Sequence, residues 1–163
     1  MSTYAIGDLQ GCLAPFDALL EEIGNARETD AVLLHGCCHN PTGVDYTQEQ
    51  WGRIADAFAE SGILPILDVA YHGLGEGLEE DIAGVRQVLA KVPEALVAYS
   101  CDKNFGLYRD RVGAFYMITR SAADLPAIVS NANALARANW SMPPDHGAAA
   151  VRTVPVPYTH LTL

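Results

Sequence analysis

Lysine is scarce in this 163-residue chain: Lys91 and Lys103 are the only two. Basic residues number ten against twenty acidic ones, for a formal charge of -10. No stretch is rich in Lys or Arg, so a phosphate backbone would be repelled, and nucleic-acid binding is excluded as a function class. Four cysteines are present, at 12, 37, 38 and 101, and none forms a C-x-x-C pair. That is no disulfide framework, and it reads as a reducing, cytoplasmic compartment. The apolar runs are too short to span a bilayer, so no membrane role is expected. The opening "MSTYAIGDLQ" has neither a basic region nor a long apolar run, so it does not read as a signal peptide.

Half of the chain is hydrophobic, enough for one globular domain or a piece of a larger one. From Asp30 onward, short apolar runs alternate with helix-like segments. "AVLLHGCC", "ILPILDVAY", "EALVAYS" and "VGAFYMIT" read as strands. "TQEQWGRIADAFAES" reads as a helix with Thr47 and Gln50 as a capping box and Trp51, Ile54, Ala55 and Phe58 on one face. "LEEDIAGVRQVLAKV" and "AADLPAIVSNANALARANW" read as two further helices. The alternation predicts a layered α/β sandwich with a mainly parallel sheet and helices packed on it. The first two dozen residues and the tail "PVPYTHLTL" fit this pattern poorly.

In open α/β sheets, ligands bind outside the carboxyl ends of the strands. Polar residues stand at four such places: Asn40, Asp68 with Tyr71, Ser100 with Lys103, and Arg111. A lysine, a carboxylate, an amide, a phenol, a hydroxyl and an arginine meet the needs of pyridoxal 5'-phosphate. The lysine would form its Schiff base and the carboxylate would keep its ring nitrogen protonated. Ser and Arg suit its phosphate. Each residue also has an ordinary reading. Lys103 alone would be a solvated loop lysine, Asp68 a cap, Tyr71 core and Arg137 a charge on a helix face. Asp68 inside an apolar run weighs against the ordinary reading, because an uncompensated buried charge is costly. A zinc reading of His35, Cys37, Cys38 and His39 is set aside, because adjacent cysteines on a strand point to opposite faces.

"HNPTG" (39–43), "DVAYHGLG" (68–75) and "SCDKNFGLYRDRVG" (100–113) together resemble class I, fold-type I aminotransferases of the aspartate and aromatic type. The resemblance runs from about Asp30 to Val154. It implies part of a large-domain sheet, with Lys103 as Schiff-base lysine and proton shuttle. Asp68 would be the ring-nitrogen partner, Tyr71 and Asn40 partners of the ring hydroxyl, and Ser100 and Arg111 phosphate ligands. Arg137, in "ARANWSMPP", would bind a substrate carboxylate in the neighbouring subunit of a homodimer. The implied reaction is transamination of aspartate or aromatic amino acids with 2-oxoglutarate.

Two ends depart from this pattern. "TYAIGDLQGC" (3–12) resembles the start of the symmetrical dinucleoside tetraphosphatases of the metallophosphoesterase class, with Asp8 as the metal-directed carboxylate. Their later metal motifs are absent, and one carboxylate cannot hold two metals, so a working phosphatase is not expected. The chain is therefore expected to divide into a foreign segment 1–22, a partial aminotransferase domain 23–154 and a non-family tail 155–163. Relatives are expected to be much longer. A non-catalytic fragment is then the alternative function.

Overall fold

The computed structural model describes residues 3–5, 13–25, 30–143 and 145–154. Asp8 and the tail 155–163 lie outside the described residues. Five strands form one sheet in chain order: β1 (Thr3–Ala5), β2 (Ala31–His35), β3 (Leu64–Val69), β4 (Ala95–Ser100) and β5 (Gly113–Ile118). The first four are mutually parallel, and β5 runs antiparallel to β4. The expected mainly parallel α/β sheet is the one found.

The parallel pairs are joined by helices α1 (Leu13–Asn25), α2 (Gln48–Ser61) and α3 (Leu78–Lys91). They lie side by side, α1 against α2 and α2 against α3. Crossovers of one hand between strands added in order put helices on one face. The core lies between them and the sheet, built from Phe16, Leu19 and Ile23 of α1, Trp51, Ile54 and Phe58 of α2, Val85 and Val88 of α3, and Val32, Leu34, Leu67, Val69 and Val97 of the strands.

Sequence chemistry sets the ends of α2. Thr47 Oγ1 accepts the Gln50 N–H at 3.2 Å, and Gln50 Oε1 accepts the Thr47 N–H at 2.9 Å. At the other end Gly62 has φ 71°, the left-handed region open to glycine, and its N–H donates to Phe58 O. Helices α2 and α3 meet at Gly84, where an added Cβ would lie 2.3 Å from the Trp51 indole. Absence of a side chain lets the two helices approach.

The first two dozen residues, which fit the alternation poorly as sequence, contribute β1 and α1. The boundary drawn at residue 22 falls inside α1. Strand β2 ends at His35, earlier than "AVLLHGCC" suggests, because the chain bends over Gly36–Cys38. The last predicted helix divides into a 3₁₀ turn (Ala122–Asp124), capped by the Ser121 hydroxyl, and α4 (Leu125–Asn139). A further helix, α5 (Asp145–Thr153), follows. Helix α4 buries no residue, and Leu135 and Trp140 are exposed.

Strand alternation turns the other sheet face away from the helices. One register row there is His35, Asp68, Ala98 and Phe115. It crosses the carboxyl-terminal ends of β2, β3 and β4. The next row is Leu33, Ile66, Leu96 and Met117, all half-buried.

Candidate active site at the carboxyl ends of the parallel strands

Asp68 is half-buried at the end of β3, paired with His35 on one side and Ala98 on the other. An apolar run leading into a carboxylate at this height follows from a strand that is core for most of its length and functional at its tip. Val69 returns to the helix face, and the next turn presents Tyr71.

Asn40 Nδ2 donates to the Tyr71 hydroxyl at 3.2 Å. The Asn40 backbone N–H donates to His35 Nδ1, also at 3.2 Å. That bond makes Nδ1 an acceptor, so neutral His35 carries its proton on Nε2. Burial, and then the neighbouring His39, lower the His35 pKa, with Asp68 partly opposing them. Lys103 follows β4 in the loop Cys101–Val112, and its Nζ lies 5.2 Å from the Tyr71 ring centroid. Asp68 and Ser100 line a cleft of about 300 Å³ with Ala98, Tyr99 and Gly113–Phe115.

The structure thus joins Asn40, Tyr71 and Lys103, and puts Asp68 and Ser100 in one cleft. Arg111 stands across the same loop and is engaged elsewhere: its Nη1 donates to Asp102 Oδ2 and, at 3.2 Å, to Tyr108 O. Arg137 is exposed on α4, and among the described residues no hydrogen bond or ion pair joins it to the cluster.

Three residues that sequence reasoning did not assign hold the lysine loop. His72 Nε2 is 2.7 Å from Leu78 O, an acceptor, so Nε2 bears the proton. Its Nδ1, 3.0 Å from the Tyr99 hydroxyl, then accepts the Tyr99 proton. The Tyr99 oxygen in turn accepts from Asn104 Nδ2 at 2.8 Å. Burial raises the Tyr99 pKa against the opposing pull of Asn104, so the phenol stays protonated at neutral pH. Asn104 is the neighbour of Lys103. His72 beside Tyr71 was visible in the sequence, but its partner Tyr99 comes from another strand.

The cysteine geometry also differs from expectation. Cys37 and Cys38 lie past the end of β2, and Cys38 has φ 49°. Their thiols and the Asp81 carboxylate converge within 4.8 Å of one another. The premise that adjacent strand cysteines diverge therefore does not apply. The group remains a poor metal cage: Asp81 spends both oxygens on backbone N–H groups, and burial pushes the Cys37 thiol up to about 12.

The sequence profile described as aminotransferase class I and II matches residues 1–155. A tyrosine aminotransferase of Rhizobium meliloti (strain 1021) is 51% identical over 154 residues, 94% of this chain and 40% of the relative. An aspartate aminotransferase of Escherichia coli (strain K12) is 46% identical over 151 residues, 93% of this chain and 38% of the relative. The crystal structure of an aromatic-amino-acid aminotransferase from Burkholderia pseudomallei, covalently bound to pyridoxal phosphate, is similar with a TM-score of 0.80 at 37% identity. That match covers 91% of this chain and 36% of the other. The chain spans about two fifths of the length of the curated relatives it matches. It belongs to the class I and II aminotransferase family.

Proposed function

We propose that this chain carries the lysine-bearing part of a pyridoxal-phosphate-dependent transamination site for aspartate or aromatic amino acids, with 2-oxoglutarate as the amino acceptor. The observation that carries the reading is the convergence of Asn40, Tyr71 and Lys103 past the strand ends, with Asp68 near the carboxyl end of β3. The setting proposed for the activity is a cytoplasmic homodimer. Among the described residues no helix is long and apolar enough to cross a membrane.

The donor set fits the ring end of the cofactor. Bound pyridoxal phosphate supplies an electron sink for the pair left when an α-proton is removed. Asp68, half-buried and held between β2 and β4, would keep a ring nitrogen protonated. The Asn40–Tyr71 pair would donate to a ring oxygen. Lys103 Nζ, held over the Tyr71 ring, would take the α-proton and deliver it to the cofactor's C4′. Arg137 would serve a substrate carboxylate across a dimer. The phosphate end does not fit as expected, because Arg111 is paired with the Asp102 carboxylate.

That mismatch favours a second reading, a non-catalytic chain that keeps the family's residues without its activity. A metal-dependent dinucleoside tetraphosphatase rests on Asp8 alone and has no support among the described residues.

The test is an absorbance spectrum of the protein mixed with pyridoxal phosphate, with Lys103→Ala as control. A visible band present in the wild type and absent in the variant is the expected result. Release of 2-oxo acid from aspartate or phenylalanine would then separate the catalytic from the non-catalytic reading. An equal band in both proteins, or none in either, would refute the assignment of Lys103.

A further inference from the structure

Asp102 sits between the two residues assigned to a phosphate and is in contact with both. Its Oδ2 receives the Arg111 guanidinium, and its backbone N–H donates to Ser100 Oγ at 3.1 Å. The loop makes this meeting unavoidable. Cys101 N donates to Val112 O at 2.9 Å, one step beyond the Ser100–Gly113 pair of the β4–β5 ladder. Residues 102 and 111 therefore face each other across a closed loop. Arg111 has φ 53°, and its side chain reaches back over Asp102 and Tyr108 O.

The two partners differ in exposure. The Asp102 side chain is 3% exposed and that of Arg111 75%. Asp102 Oδ1 is buried with no hydrogen-bond partner among the described residues. A buried carboxylate with one oxygen unsatisfied depends on its one cation, and removing that cation leaves an uncompensated charge. Arg111 is thus committed to Asp102 before any ligand arrives.

We propose that the Asp102 carboxylate is an internal anion that holds Arg111, the residue assigned to a phosphate, so that the site discriminates against phosphorylated ligands. This rests on the reading of the cleft as a pyridoxal phosphate site, and it concerns the phosphate end alone. A phosphate drawn to Arg111 meets a fixed carboxylate a few ångströms away. Like charges at that spacing repel strongly where water is partly excluded. The outer edge of the Arg111 guanidinium stays in water, so attraction is weakened and not abolished.

The test is calorimetric titration of the full chain and of Asp102→Asn and Asp102→Ser with two probes, pyridoxal phosphate and unphosphorylated pyridoxal. The wild type is expected to bind the two with affinities within about threefold of each other. Each variant should tighten pyridoxal phosphate by about tenfold or more, about 1.4 kcal/mol, and leave pyridoxal unchanged. Wild-type preference for pyridoxal phosphate of tenfold or more overturns the proposal and leaves the cofactor reading standing. So does a variant that gains equally for both probes or for neither. No binding of either probe by any of the three proteins overturns both. The wild-type ratio needs no variant, and the near-isosteric Asp102→Asn serves if Asp102→Ser does not fold.

Discussion

Asp81 holds the loop that follows Tyr71, and its removal has a calculable consequence. Oδ2 accepts the N–H groups of Gly73 and Gly75 at 2.8 and 3.0 Å, and Oδ1 those of Glu76 and Gly77 at 2.8 and 3.3 Å. The side chain belongs to the first turn of α3, whose N-cap Gly77 offers no side chain, so Asp81 supplies what a cap would. Burial acts to raise its pKa, but the four N–H groups prevail and leave it below the ordinary carboxylate range. Asp81→Asn keeps the shape and turns one oxygen into a donor facing two donors. Two of the four bonds go, together with the charge. Hydrogen bonds to charged groups contribute about 1.5–3 kcal/mol each. Gly75 and Glu76 are exposed, so water recovers part of this, and the expected loss is about 2–4 kcal/mol. Urea denaturation at neutral pH would measure it. The folded pKa lies below the unfolded value near about 3.9. The carboxylate's contribution is therefore complete above that value and disappears as pH falls through the folded pKa. The gap between wild type and variant should hold steady down to about pH 5 and narrow below about pH 4. A gap under about 1 kcal/mol at neutral pH, or one that widens on acidification, would refute the reasoning.

Other positions give independent tests. Gly84→Ala should gain about 1 kcal/mol of helix propensity but lose more, about 1–3 kcal/mol, because the new methyl meets the Trp51 indole at 2.3 Å; net stabilisation in a thermal melt would contradict the tight α2–α3 approach. Tyr99→Phe should cost about 1–3 kcal/mol by leaving His72 and Asn104 without their shared hydroxyl, and it should lower the yield of the Lys103-dependent absorbance band by loosening the loop. Thr47→Ala should cost about 1 kcal/mol through the lost cap, with no change in that band, since α2 starts away from the cleft.

Local chemistry made much of this protein legible as sequence. Period-2 and period-3.6 patterns depend only on neighbours along the chain, so β2 to β5 and α2 to α4 were readable in order. The Thr47–Gln50 cap needs only four residues, and it forms as expected. Asn40, Asp68, Tyr71 and Lys103 could be singled out as candidates because each stands at or past the carboxyl end of an apolar strand. The first two dozen residues were less readable: β1 is three residues long, and α1 shows its purpose only when Phe16, Leu19 and Ile23 meet the core. The cysteines were misjudged because β2 stops at His35, and the turn after it depends on packing of Gly36 beneath Val85 and Val69.

The sequence by itself determined the order of β2 to β5 and α2 to α4, the mainly parallel sheet and the candidate residues near its carboxyl edge. Their spacing and chemistry follow from the chain alone. Which of them engage was decided by tertiary structure. Tyr99 of β4 finds His72 in the turn after β3, and Asp81 finds its four N–H partners through a loop closing on a helix start. Asp102 captures Arg111 because antiparallel pairing of β5 with β4 brings residues nine apart face to face. Such pairings join groups distant along the chain or across a closed loop, and no periodicity records them.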